Sequence, residues 1–353
     1  MKKINFVAIL LCSVLTVILS AGIARANDWI METIELTINT RFDEAEAIIN
    51  QRLSEGDSSL AVYFYHVSIL NSKMTHLENN HDEQAFKKAI EKVILGADIQ
   101  LASTASVSDQ ELARIYFYRG SAFGFLAYWQ GKAGNWFQAL ENGLTSIADL
   151  EKAVELDSTL YDAYLGIGVY KYWRSTKLKF MLWLPFITDS REEGIALIKK
   201  AIQKGRYSAG MGMHQLIYIL LDSGRFQEVI PYAEEVVKRY PQSQFMWWAN
   251  AHTYFKSRDY KSAIRSYLQL LTLIEEDDRP NLNHWAACQV RLADIYYRQQ
   301  DFEPALHHSN VVLKKLSGNT LPEEMRAHYQ KASLLARKSE QALSRLSLQN
   351  TDH

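Results

Sequence analysis

One internal period organises most of this chain of 353 residues. When the sequence is shifted by 34 residues, large and small side chains of two neighbouring segments coincide. The aligned pairs are Met213 with Trp247, Leu216 with Asn250, Leu220 with Tyr254, Phe226 with Tyr260, Val229 with Ala263, Ala233 with Tyr267 and Val236 with Leu270. The pattern recurs after a further 42 residues at Ala293, Tyr296, Phe302, Ala305 and Val312, with the excess in the loop 275–283. Such a period predicts stacked helical hairpins that share one continuous core.

The second segment reads W-x2-N-A-x2-Y-x5-Y-x2-A-x3-Y-x2-L, beginning at Trp247, and it resembles the tetratricopeptide repeat. Tyr240-Pro241 closes the preceding segment where that family usually places a proline, which stops the second helix. The resemblance is strong over 158–316 and degenerate before that. It implies an all-α fold, a right-handed α-solenoid of antiparallel helix hairpins with about five to six repeats and a C-terminal capping helix.

We expect this solenoid to span residues 27–346. Its parts are degenerate N-terminal repeats over 27–107, two elongated repeats over 108–204, a three-repeat region over 205–316 and a capping helix over 322–346, with a flexible tail at 347–353. Each of the two elongated repeats is longer than the standard repeat by the same number of residues. In the first repeat the excess is expected to lengthen both helices, and in the second it is expected in the connection between them.

Residues 1–26 have the pattern of an export signal. Lys2 and Lys3 precede an uncharged run over 4–24, and Ala24-Arg25-Ala26 matches the A-x-A cleavage pattern. Cleavage after Ala26 predicts a periplasmic or exported protein. The alternative is a retained segment, because 6–24 is long enough to anchor the chain in the inner membrane with its repeats in the periplasm.

Composition and motifs narrow the functional class. Lys+Arg 39 and Asp+Glu 40 nearly balance, so the charge does not favour nucleic acid as a partner. The sequence has no nucleophile elbow, zinc-protease motif, phosphate-binding loop or paired cysteine motif. We therefore expect no catalysis, no cofactor and no metal site, and the resemblance implies protein partners instead.

In this family the first helix of each hairpin lines the concave side, and the repeat register selects its inward positions. The candidates for a partner groove are mostly aromatic, namely Tyr172, His214, Tyr218, Phe245, Trp248, His252, Phe255 and Tyr297. One interpretation is a groove for a segment of a partner, which predicts a non-catalytic scaffold or adaptor of the bacterial cell envelope. The other is that tight superhelical curvature, or the C-terminal helix, buries these rings as core.

The connection 177–187 reads KLKFMLWLPFI and is apolar apart from two lysines. Its candidates for contact with a membrane or a partner are Lys177, Lys179, Phe180, Trp183 and Phe186. Peripheral insertion of the aromatic residues beside the lysines predicts an alternative function, a membrane-associated assembly or lipid-interacting factor. The competing interpretation is a plug that packs on the elongated hairpin 109–156.

Overall fold

A computed structural model describes residues 28–103, 107–177, 188–317 and 321–351. These residues form fifteen α-helices and no β-strand, which confirms the all-α class. The helices are α1 (Trp29–Ile38), α2 (Phe42–Ser54), α3 (Leu60–Leu77), α4 (Glu83–Ala102), α5 (Asp109–Lys132), α6 (Trp136–Leu156), α7 (Ala163–Lys177), α8 (Arg191–Lys204), α9 (Ala209–Asp222), α10 (Phe226–Arg239), α11 (Gln244–Lys256), α12 (Tyr260–Glu275), α13 (Leu282–Arg298), α14 (Phe302–Lys315) and α15 (Glu323–Thr351).

Consecutive helices pair into seven hairpins, from α1/α2 to α13/α14, and α15 packs on both α13 and α14. This is more than the five to six repeats expected, because the degenerate segments before residue 108 also form two complete hairpins. Each hairpin contacts the next along the stack, as in a solenoid. The terminal helix continues to Thr351, past residue 346, where the sequence predicted a tail.

The repeat register is visible in the core of the three C-terminal hairpins. The second helices α10, α12 and α14 bury equivalent positions completely. These positions are Val229, Ala263 and Ala305, then Ala233, Tyr267 and Ser309, then Val236, Leu270 and Val312. The spacings of 34 and 42 residues therefore identify the apolar stripe of each helix correctly.

The turns inside these hairpins follow the same register. Gly224, Arg258 and Gln300 all have left-handed backbone conformations, with φ of 72°, 62° and 61°. Each residue lies just after the first helix of its hairpin and lets the chain reverse direction. Glycine adopts this conformation without steric cost, whereas Arg258 and Gln300 adopt it at a steric cost.

Small residues lie where helices cross closely. A Cβ atom at Gly168 on α7 would lie 2.6 Å from the carbonyl oxygen of Gly194 on α8. A Cβ atom at Gly194 would likewise lie 2.6 Å from the carbonyl oxygen of Gly168. The α7/α8 pair therefore depends on the absence of a side chain at both positions.

The elongated repeats differ from each other as expected. In the first, α5 and α6 are long, with 24 and 21 residues. In the second, α7 and α8 have ordinary lengths of 15 and 14 residues. The excess of the second repeat thus falls in the connection after Lys177, most of which lies outside the described residues.

Candidate functional site

The inner layer of the solenoid consists of the first helices of successive hairpins, which pack on one another along most of the stack. Among the described helices, α11 and α13 are successive first helices that do not form such a packed pair. Side chains span the space between them, since Trp248 on α11 lies edge-on to His284 on α13 with ring centroids 6.0 Å apart. The contact between these two helices is therefore made by side chains.

The structure places seven of the eight groove candidates at partly exposed positions of this layer. They are His214 and Tyr218 on α9, Phe245, Trp248, His252 and Phe255 on α11, and Tyr297 on α13. Tyr218 lies edge-on to His214 on the same helix at 5.1 Å and stacks on His252 of α11 at 6.2 Å. We call these seven residues together the aromatic surface.

Tyr172, the remaining candidate, is a core residue. Only 1% of its surface is exposed. Its hydroxyl donates to the Asp222 carboxylate at 2.6 Å and lies 3.2 Å from the carbonyl oxygen of Ile219, which joins α7 to α9. The register placed Tyr172 on the correct helix, but this polar anchor turns it into the interior.

The chain's own N-terminal helices cover one end of the aromatic surface. Ser243, which precedes α11, donates a hydrogen bond to the carbonyl oxygen of Ile38 at the end of α1. Phe245 packs in the N-terminal core and lies edge-on to His76 on α3, with ring centroids 5.5 Å apart. The second interpretation of the groove, burial by superhelical curvature, thus applies to Phe245.

Polar contacts join the C-terminal end of α3 to the loop after α12 and to the start of α13. Glu78 accepts hydrogen bonds from the Asn283 amide at 2.7 Å and lies 3.4 Å from His284 Nε2. The Asn281 amide donates to the carbonyl oxygen of His76 at 2.9 Å. These hydrogen bonds, from His284 first, lower the pKa of Glu78 to about 2 although burial opposes the change. We call these residues the closing cluster.

The sequence did not reveal the closing cluster. Its members are about 200 positions apart, and in a repeat stack each unit is expected to touch only its neighbours. The sequence Leu77-Glu78-Asn79-Asn80 after His76 is typical of a polar turn, but it does not identify a distant partner.

The other end of the aromatic surface is not covered by α1 or α3 in the contacts of the described residues. It contains Tyr218, His252, Phe255, Arg291 and Tyr297, and we call it the open surface. Burial lowers the pKa of His252 to about 4, and the nearby charges of Arg291 and Lys256 act in the same direction. His252 is therefore neutral at neutral pH, and Arg291, whose Cζ lies 4.3 Å from the Phe255 ring centroid, supplies the charge.

Comparison with known proteins gives structural likeness only. No family model and no curated protein matches the sequence. Similar solved structures include PilW, a widely conserved type IV pilus biogenesis factor, with TM-score 0.47, 12% identity, and coverage of 73% of this chain and 97% of that chain. The C-terminal part of a TPR repeat-containing protein from Cytophaga hutchinsonii has TM-score 0.43 and 15% identity, covering 85% and 98%. Yeast Tom70 has TM-score 0.40 and 14% identity, covering 86% and 59%.

The fold type is decided by the three C-terminal hairpins, in which buried positions and left-handed turns recur in the same register. The fold is that of a tetratricopeptide-repeat protein. In this tetratricopeptide solenoid, the open surface lies where the first helices present side chains to the inside of the stack.

The apolar connection of the tetratricopeptide solenoid falls mostly outside the described residues. Lys177 is the last residue of α7, while Lys179, Phe180, Trp183 and Phe186 are not described. The two ends of the connection are held together, since the Ser190 amide donates to Ser175 Oγ at 2.9 Å.

A second apolar surface, which the sequence did not single out, lies at the tip of the elongated α5/α6 hairpin. Trp136 and Phe137 are 73% and 78% exposed. Leu140 and Leu144 continue the exposed stripe along α6. Their spacing of three to four residues follows one helix face. This apolar spacing was the sequence pattern that could have predicted the surface.

The described residues contain no group of three or more His, Cys, Asp or Glu arranged to hold a metal ion. His308 is used internally, with Nδ1 2.7 Å from the Gln289 side-chain oxygen and its ring stacked on Tyr296. In the same parts of the chain, no helix combines the length and apolar character needed to cross a bilayer.

Proposed function

We propose that the protein is a non-catalytic scaffold of the bacterial cell envelope that binds a segment of a partner protein on its open surface. The observation that carries this proposal is the row of partly exposed rings Tyr218, His252, Phe255 and Tyr297 on rigid first helices. Large aromatic side chains provide much contact area and lose little side-chain entropy on binding. A preformed surface also reduces the ordering cost of association.

The envelope location rests on residues 1–26, which lie outside the described part. Cleavage after Ala26 gives a periplasmic or exported protein, and retention gives an inner-membrane protein that faces the periplasm. The mass of the protein isolated from cells distinguishes the two, because cleavage predicts a chain that begins at Asn27.

The absence of catalysis is part of the same proposal. His214 has its pKa lowered to about 4 by burial, and His252 is similarly shifted, so both are neutral and poorly suited to act as bases near neutral pH. Asp294 on α13 forms ion pairs with Arg298 and Lys331. The histidines and Asp294 therefore favour a binding function over a catalytic one.

Site-specific crosslinking in cells tests the proposal. A photoreactive amino acid at Phe255 is expected to capture one defined envelope protein by its adjacent segment. The same amino acid at Lys238, an exposed position on the outward helix α10, is the control and is expected to capture none of it. Equal capture from both positions, or none from Phe255 under any growth condition, contradicts the proposal.

A membrane-associated function is the second candidate, and the α5/α6 tip favours it. Between Arg119 and Asp149 the sequence has only Lys132 and Glu141 as charged residues. Trp136 and Phe137 lie at the exposed end of this weakly charged hairpin, where they are able to enter the interface of a bilayer. The connection 177–187, with the lysines and aromatic residues named above, would add to this contact.

Flotation with vesicles of phosphatidylethanolamine and phosphatidylglycerol tests the second candidate. The wild-type protein is expected to float, and Trp136→Ser with Phe137→Ser is expected to remain at the bottom. Flotation of the double variant at the wild-type level contradicts a membrane role for the tip.

A further inference from the structure

The outer face of α6 carries an apolar stripe that the described residues leave exposed. The stripe consists of Trp136, Phe137, Leu140 and Leu144, which are 73%, 78%, 62% and 51% exposed. These four side chains fall within an arc of about 100° on the helix. The opposite face of α6 is the one that meets the core, since Leu150 and Ala153 are buried there. The stripe is therefore a second apolar face of the same helix.

The upper part of this stripe projects beyond the next hairpin. Helix α7 follows α6 after a short turn and packs against it. A Cβ atom at Gly166 of α7 would lie 2.7 Å from Leu150 Cδ1 of α6, and an equal count of residues from this contact places the end of α7 level with Leu140. Trp136 and Phe137 therefore lie past the end of α7. Apolar surface exposed in this way usually marks an interaction site.

The charge around the stripe indicates what kind of partner fits it. Lys132 and Glu141 are the only charged residues over 120–148, and the Lys132 ammonium lies 4.7 Å from the ring centroid of Trp129. Helices that lie in anionic bilayers carry many Lys and Arg residues on their polar face. Interfaces between identical subunits are instead apolar and depleted of charge at their centre. The chemistry of the stripe therefore favours an uncharged protein surface over a lipid surface.

The spacing within the stripe makes it complementary to itself. Trp136 and Leu144 lie at equal distances before and after Leu140 in the sequence. When two α6 helices meet antiparallel about a two-fold axis at Leu140, this leucine contacts its own equivalent, and Trp136 contacts Leu144 of the second copy. We propose that the stripe binds the stripe of a second copy of this chain, so that the protein forms a two-fold dimer through α6.

The area of the stripe is sufficient for a weak dimer. At the exposed fractions given above, its four residues present about 500 Å² per copy, or about 1,000 Å² in a dimer. This area lies at the lower limit for specific interfaces, so we expect a dissociation constant on the order of 10 µM. The open surface lies on first helices, whereas α6 is a second helix. A dimer of this kind therefore presents two open surfaces, which raises the avidity for a partner that is itself repeated.

Sedimentation velocity of the purified protein between about 1 and 100 µM tests the dimer, and the sedimentation coefficient is expected to rise to that of a dimer over this range. Leu140→Arg places two like charges against each other at the axis and is expected to weaken association at least about tenfold. Leu95→Arg is the matched control, because Leu95 is a similarly exposed leucine on the outer helix α4, and it is expected to keep the dimer. Circular dichroism melting verifies that both variants are folded.

Disulfide crosslinking gives a second readout of the geometry. Leu140→Cys is expected to form a covalent dimer under mild oxidation, because a residue on the axis faces its own equivalent, and Leu95→Cys is expected to form none. The natural thiol of Cys288 is fully buried and does not compete.

A wild-type protein that stays monomeric at about 100 µM overturns the inference. Flotation of that monomer with vesicles would assign the stripe to lipid, and a Leu140→Cys thiol that resists alkylation in the monomer would assign it to the chain's own connection 177–187. A dimer that Leu140→Arg leaves intact also overturns the inference, because another surface would then form it. None of these outcomes affects the open surface, so the proposed scaffold function is tested separately.

Discussion

The imidazole Nε2 of His76 lies 3.4 Å from the carboxylate of Asp277, although the two residues are 201 positions apart in the chain. The same carboxylate accepts a hydrogen bond from the Gln244 amide at 2.8 Å. One acidic residue therefore links the end of α3, the start of α11 and the loop after α12. This link joins the second hairpin to the connection between the sixth and seventh hairpins, and it divides the inner surface into a covered and an open part.

Acid is expected to weaken this closure through Glu78. Its folded-state pKa, about 2, lies below the ordinary value of 4.5, so it contributes stability above pH 4.5 that is lost as the pH falls towards 2. We expect a contribution of about 1–2 kcal/mol, reduced by solvent screening because a third of the side chain is exposed. Urea unfolding of wild type and Glu78→Gln checks this: the difference between them should be largest at pH 7, smaller at pH 3 and lost at about pH 2. A constant difference across this pH range would contradict it.

Packing of Phe245 against α3 is expected to protect the N-terminal helices from exchange. Phe245→Ala should lower the free energy of unfolding by about 2–3 kcal/mol, below the full cost of a buried phenylalanine because the ring is only partly buried. Hydrogen exchange should accelerate in α3 and not in α14. Phe255→Ala, on the same helix but outside the covered part, is the control and should leave the exchange of α3 unchanged.

Alanine substitution is expected to have opposite effects at Gly168, where α7 and α8 cross closely, and at Gly143, where there is room for a methyl group. Gly168→Ala places a methyl group 2.6 Å from a carbonyl oxygen and should destabilise the protein by about 1–3 kcal/mol. Gly143→Ala, inside α6, meets only an ordinary contact at 3.9 Å and should stabilise it by about 0.5–1 kcal/mol through helix propensity. Denaturant midpoints of the two variants measure both effects, and a neutral Gly168→Ala would show that these helices lie further apart.

The left-handed turn residues give a further comparison. Arg258→Gly should stabilise the protein by about 0.5–1 kcal/mol, because arginine pays a steric cost at φ 62°. Gly224→Ala, one repeat earlier at φ 72°, should destabilise it by about 1 kcal/mol. Thermal melting checks both signs, and the same sign for the two variants would contradict the shared turn geometry.

Local patterns in the sequence were enough for the hairpins. Val229, Ala263 and Ala305 share one register position and are all fully buried, since the period fixes which face of each second helix meets the core. The identical turns at Gly224, Arg258 and Gln300 follow from the same period. These features depend on residues within one or two repeats of each other.

The remaining features depend on relationships that no single repeat contains. Closure by His76 and Asp277 requires the summed curvature of several hairpins, which the sequence pattern does not specify. Tyr172 has the register of an exposed ring, yet Asp222 supplies a buried partner for its hydroxyl.

The central claim is that the open surface binds the partner, and one affinity measurement tests it most directly. The protein captured by crosslinking at Phe255 is purified, and its dissociation constant is measured with wild type, Phe255→Ala and Lys238→Ala. The account predicts at least about a tenfold loss of affinity for Phe255→Ala, measured at a temperature at which the variant is folded, and no loss for Lys238→Ala. Wild-type affinity in a folded Phe255→Ala variant would contradict it.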